Sequence, residues 1–215
     1  MQGYFLPYAG YFRLMCDVDA FIVAGSMQFT RRGWINRNRL RDDLGRLQWL
    51  TLPLSPSPVK TAITAVRFCE DAAEILHKNA QRFAACRMPR VHTAAIVQQA
   101  LAARGTPWET IDSLIRAVHS VLGLSAPLIR DTDLGLPEEI SREERIFAIC
   151  EHFSADTYIN APGGQHLYQA DAFSRRGIKL EFLPVYRGDC ASILQRLHDS
   201  SPSEICLEMR LNLGP

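Results

Sequence analysis

The run SREERIFAICEHFSADTYINAPGGQHLYQADAFSRRGIKLEFL, from Ser141 to Leu183, decides the fold. Ser141 and Glu144 have the spacing of a capping box, in which a hydroxyl and a carboxylate satisfy free N–H groups of a first helical turn, so Ser141–Phe153 reads as a helix. Thr157–Asn160 reads as a strand and ends in the turn Pro162-Gly163-Gly164. Leu167–Arg176 reads as a helix again, closed by Gly177, and Ile178–Leu183 as a further strand. Alternation at this spacing argues for parallel strands joined by right-handed crossovers. Ligands of open sheets of this kind sit beyond the carboxyl ends of the strands, and the turn after Asn160 is such a place.

Working outward, Pro127–Arg130 is a short strand that precedes this run. Thr106-Pro107 opens a helix, with threonine as the cap, proline at the first helical position and Glu109 in the first turn; it runs to Leu122 and closes on Gly123. Val91–Arg104 reads as a helix closed by Gly105. Glu70–Arg87 places Ala72, Ile75, Leu76, Ala80 and Phe83 on one helical face, and Pro89 ends it. Ala62–Phe68, Gln48–Leu54 and Phe21–Ala24 read as strands, with Ser55-Pro56-Ser57-Pro58 as a surface loop between them. The expected architecture is α/β: a mixed, largely parallel sheet flanked by helices, in one domain over residues 1–215.

Composition narrows the class. With 215 residues, 47% hydrophobic and 22% charged, the chain resembles an ordinary globular domain. No apolar run approaches the ~18 residues of a membrane span, and Met1–Tyr11 lacks the basic start and cleavage site of a signal peptide, so a cytoplasmic location is expected. The six cysteines, Cys16, Cys69, Cys86, Cys150, Cys190 and Cys206, are scattered, and none pairs with a histidine at zinc-ligand spacing. Reduced thiols and no metal or other cofactor are therefore expected. Arginine outnumbers lysine 21 to 3, so only clusters of arginine carry information.

The densest cluster is Gln28-Phe29-Thr30-Arg31-Arg32-Gly33-Trp34-Ile35-Asn36-Arg37-Asn38-Arg39. Gly33 and two asparagines argue against a regular helix, so it reads as a loop with polar side chains to spare. Guanidinium forks bind phosphate or carboxylate, asparagine amides both donate and accept, and Trp34 offers a flat surface to a sugar or base. A solvated basic loop, its asparagines bonded to their own turn, is the competing reading. The second feature is Asn160-Ala161-Pro162-Gly163-Gly164-Gln165-His166: Gly163 and Gly164 let backbone N–H groups approach an anion, and His166 has a titration range suited to acid–base work. His77, on the helix beginning at Glu70, is another candidate base. The aromatic start from Tyr4 to Phe12 reads as a buried corner, or else one from which a tyrosine hydroxyl or Gln2 reaches the same pocket.

Those stretches together resemble the WbqC-like family. The resemblance is carried by Gln2 to Phe12, Gln28 to Asn38, Trp49-Leu50-Thr51-Leu52-Pro53, His77, Leu122-Gly123-Leu124, Tyr158 to Gly164 and Gly177-Ile178-Lys179-Leu180. It implies a cytoplasmic enzyme of bacterial O-antigen or related surface-polysaccharide biosynthesis that modifies an amino sugar or similar activated intermediate. On that reading Gln28, Arg32, Trp34, Asn36, Arg37 and Asn38 wall the pocket, with Tyr8 and Thr51 beside them and Gly163-Gly164 opposite. His77 or His166 is then the base for transfer of an acyl or aminoacyl group to a sugar or sugar-nucleotide amine. Members commonly carry an Asp-Asp pair before the glutamine of the arginine loop; Gly25 and Ser26 stand there instead. That loss favours a second reading, a non-catalytic protein that binds a saccharide intermediate. A third, single-stranded RNA binding through arginines interleaved with Trp34 and Phe29, is opposed by an isoelectric point near 7.7.

Overall fold

The computed structural model describes residues 1–137 and 139–213. Its helices are α1 Ala9–Phe12, α2 Ala72–Ala80, α3 Ala84–Arg87, α4 Ala94–Ala102, α5 Pro107–Val121, α6 Arg142–His152, α7 Ala170–Ser174, α8 Ile193–Asp199 and α9 Pro202–Leu211, and its strands are β1 Phe21–Val23, β2 Arg37–Arg41, β3 Leu47–Thr51, β4 Leu128–Arg130, β5 Thr157–Asn160 and β6 Lys179–Phe182. Among the described residues the strands pair as β1–β4 parallel, β2–β3 antiparallel and β5–β6 parallel. The α/β class is as expected, realised as small two-stranded sheets flanked by helices.

Two parallel pairs frame the molecule, and each forms for a reason visible in its side chains. Phe21 and Val23 of β1 are buried, and Met1–Gly3 runs alongside them, with the Ala24 amide donating to Met1 and the Gly3 amide to Ala24. The β5–β6 pair rests on a separate small core of Phe147, Cys150, Phe173 and Ile178, in which the Tyr158 ring stacks on Phe173 at 5.6 Å. Phe173 is fully buried, which contributes roughly 1.5–3 kcal/mol of transfer free energy. The larger core joins α1, the β2–β3 hairpin, α2, α4, α5, α8 and α9.

The strongest capping signals fall where the sequence puts them. The Thr106 hydroxyl accepts from the Glu109 amide while the Glu109 carboxylate accepts from the Thr106 amide, and Gly123 closes the far side at φ +62°. At α6 only half of the box forms. The Ser141 hydroxyl accepts from the Glu144 amide at 3.1 Å, whereas the Glu144 carboxylate turns away to Arg176.

Five expectations need correction. Arg37–Arg41 is not loop but strand, because Asn38 and Leu40 alternate inward; the polar Asn38 hid the period. Ala62–Phe68 is not a strand: Ile63–Ala65 is a short 3-10 turn, with single bridges at Ala62 and Phe68. The helix expected over Glu70–Arg87 is broken at Phe83, whose extended backbone drives its ring fully into the core. The left-handed end of α4 is Ala103 at φ +45°, two residues before Gly105. The helix expected over Leu167–Arg176 shrinks to α7, because Pro162–Leu167 winds as 3-10 and Tyr168 is extended, its ring edge-on to Tyr158 and Phe173.

Candidate functional site

A cavity of about 430 Å³ opens between the two parallel strand pairs. Each wall follows from the topology. The carboxyl end of β1 supplies Ala24, that of β4 Asp131, and that of β5 Asn160, followed by Ala161, Gly163 and Gly164 of the turn. Arg142 and Arg145, three residues apart on α6, share a face and border the cavity with Ile146 and Ile149. Gln2, Tyr4, Met27 and Thr30 close the side nearest the arginine cluster, and Tyr158, Leu167 and Tyr168 the side nearest β5.

The polar groups of this cavity are held in place. Asp131 is buried, with its carboxylate accepting from the Gly25 amide at 2.7 Å, from the Ser26 amide at 3.3 Å and from the Ser26 hydroxyl. The Asn160 side-chain carbonyl accepts from the Ala161 amide at 2.7 Å and its amide donates to the Tyr158 hydroxyl at 3.2 Å, which fixes the start of the glycine turn. Gly164 lies so close to this amide that an added Cβ would sit 3.0 Å from Asn160 Nδ2. Burial raises the Tyr158 phenol above its usual range, reinforced by the neighbouring Tyr168 and a hydrogen bond to its side chain, so it stays protonated. Arg145 is buried and donates to the Pro137 carbonyl at 2.7 Å, whereas Arg142 is exposed at the rim. Such a cavity sets an exposed guanidinium at its rim, a second, hydrogen-bonded one in its wall and a glycine turn beside them, a lining suited to an anionic, hydroxyl-bearing ligand.

Of the residues singled out in the sequence, Gly163 and Gly164 border this cavity, and Gln28, Arg32, Trp34, Asn36, Arg37, Asn38, Tyr8, Thr51, His77 and His166 do not. Gln28 donates to the Val59 carbonyl at 2.8 Å and Asn36 to that of Leu52 at 3.2 Å. Asn38 is buried and donates to Leu6 at 2.8 Å and Phe5 at 3.3 Å, accepting from the Arg39 amide. Arg32 is exposed at φ +60°. Arg37 lies 4.1 Å over the Trp49 ring, and Trp34 is 5.2 Å from the same ring. Tyr8 packs on Tyr186 at 5.4 Å, and Thr51 pairs with Arg37 across the hairpin. His77 is exposed, its Nδ1 2.8 Å from the Ala73 carbonyl one turn earlier, and His166 is exposed in the turn after Asn160.

Asp131, Arg142 and Arg145 escaped the sequence reading. An acid immediately after the strand Pro127–Arg130 and two arginines at helical spacing behind the Ser141 cap were the signals available. Gly25 also gains a physical reason. A Cβ added there would lie 2.5 Å from the Trp108 indole, so this chain has no room for a larger residue at that position.

Comparison with known proteins agrees with the resemblance seen in the sequence. An uncharacterized protein of Mycobacterium tuberculosis, Rv1507c, is 27% identical over 196 residues, covering 84% of this chain and 78% of that protein. No solved structure matches the chain. The model of the WbqC-like protein family matches residues 2–188, a span that takes in both parallel strand pairs and all of the cavity lining but Met1, and the chain belongs to that family.

Proposed function

We propose that the chain binds a phosphorylated amino-sugar intermediate of bacterial surface-polysaccharide biosynthesis in this cavity and transfers an acyl or aminoacyl group to its amine. The observation that supports the reading best is the pairing of Arg142 and Arg145 with the Gly163-Gly164 turn at the carboxyl ends of parallel strands. The guanidiniums hold the phosphate, and Asn160 and the Tyr158 phenol face the sugar hydroxyls. Among the described lining residues Asp131 is the one carboxylate, and it takes the base role considered for His77 and His166. The amine nitrogen forms a bond to the donor's carbonyl carbon, the donor's thioester or ester bond breaks, and the amine proton passes through Asp131 to the leaving group. A non-catalytic saccharide-binding role is the second reading, favoured by the donors that already occupy Asp131.

The test uses glucosamine 1-phosphate as ligand and acetyl-coenzyme A as donor. Arg142→Ala should weaken binding of the sugar phosphate by roughly tenfold, the size of one exposed charge-assisted contact. Asp131→Asn should keep binding and abolish transfer. Binding without transfer in the unaltered protein supports the accessory role, and no binding at all rejects both readings.

A further inference from the structure

The β2–β3 hairpin carries a surface that the cavity does not use. Arg37 and Arg39 point to the same side of β2, and Arg39 is directly paired with Trp49 of β3. Trp34, from the preceding turn, lies 5.2 Å from Trp49 at 49°, and the Arg39 guanidinium sits 5.4 Å from the Trp34 ring and 5.7 Å from Trp49. Arg37 covers Trp49 at 4.1 Å and donates to the Gly33 carbonyl at 3.2 Å and to the Arg32 carbonyl, which ties the preceding turn to the stack and leaves one of its terminal nitrogens unused. Trp34 is 39% exposed, so part of its indole stays open to solvent beside these neighbours.

The charges around this stack are unbalanced. The hairpin's acids are committed elsewhere: Asp42 to Arg46 and Asp43 to Arg87, while Arg41 takes Asp189. Among the described residues no carboxylate lies within 4.0 Å of the Arg31, Arg32, Arg37 or Arg39 guanidinium. The Arg39 Nε–H is buried without a hydrogen-bond partner. Guanidiniums packed against indoles are held in place without a carboxylate, and their unused N–H groups suit the capture of phosphate oxygens.

We propose that this hairpin face binds a nucleoside diphosphate, its base on the exposed part of Trp34 and its phosphates on Arg32, Arg39 and the remaining terminal nitrogen of Arg37. A single open indole accommodates one base. Single-stranded nucleic acid uses successive stacking platforms along a basic groove, whereas among the described residues Trp34 is the one large exposed aromatic beside these arginines, in a chain of net charge +1. The site is independent of the cavity reading, because its probe and its variants are different.

The experiment titrates uridine diphosphate into the full chain, followed by tryptophan fluorescence and calorimetry. One nucleotide per chain is expected, with quenching, and uridine and inorganic pyrophosphate should each bind at least about tenfold more weakly. Trp34→Ala and Arg39→Ala should each lose about tenfold in affinity, while Trp34→Phe, which keeps a ring, stays within about threefold. Thermal melting confirms that the variants fold; should Arg39→Ala fail, the exposed Arg32 is replaced instead, with the same loss expected. The proposal is overturned by the absence of saturable binding at millimolar nucleotide, or by equal affinity for pyrophosphate. It is equally overturned by a loss in Arg142→Ala without one in the hairpin variants, which moves the nucleotide to the cavity. Tighter binding of oligouridine with a steeper salt dependence would identify a nucleic-acid surface instead.

Discussion

Asn38 shows how a residue with the chemistry of a ligand becomes part of the frame. Its amide donates to Phe5 and Leu6 in the aromatic start, where Leu6 takes the left-handed conformation at φ +44°. Nothing in the sequence says that a carbonyl 32 positions away is its acceptor, so asparagine in a basic cluster reads as free. Asn38→Ala should cost about 2 kcal/mol in urea unfolding, because it strands buried carbonyls, although Ser192 still donates to Leu6. A cost near zero would mean that the amide is not part of the frame. Gly25→Asp should destabilise by roughly 2–3 kcal/mol through the clash with Trp108. Thiol reactivity follows burial in the same way. Burial pushes the Cys86 thiol up to about 12 and that of Cys150 up to about 11, whereas Cys190 is exposed. In the native protein near pH 8, a disulfide reagent should modify Cys190 first and Cys86 and Cys150 last; rapid labelling of Cys86 would contradict the packing of α3.

At the scale of elements, what was legible depended on whether the stabilising contacts are local. Helices α5 and α6 announce themselves through hydroxyl caps within three residues, and β5 and β6 through short runs closed by turns. The hairpin strand β2 and the stretch Ala62–Phe68 are not legible locally because their conformations answer to distant partners, β3 for the first and the single contacts to Gln28 and Leu54 for the second. The Ser141 cap bears on function, since α6 presents Arg142 and Arg145 from its first turn. Ser141→Ala should lower stability by about 1 kcal/mol and weaken sugar-phosphate binding by a few-fold. Unchanged binding with the expected stability loss would separate the cap from the site.

Across the whole molecule, the general position of the cavity was accessible from the alternation Ser141–Leu183, because ligands of parallel strands gather at their carboxyl ends. The Gly163-Gly164 turn stands there. Its opposite wall was not accessible. Asp131 and Ala24 face it only because β1 and β4, more than a hundred residues apart in sequence, lie side by side in parallel. The arginine cluster drew attention by density, yet it lies on a hairpin whose stacked indoles form a surface of their own. Two surfaces of different chemistry thus follow from one topology.

The central claim is that the cavity between the parallel strand pairs takes a phosphorylated amino sugar. It is tested most directly by following backbone amide resonances while glucosamine 1-phosphate is added. The account predicts saturable shifts that are largest at Gly163, Gly164 and Ala161, that extend to Asp131 and Arg142, and that need roughly tenfold more ligand in Arg142→Ala. Saturable shifts confined to the β2–β3 hairpin, or no saturable shift at the Gly163-Gly164 turn, would contradict it.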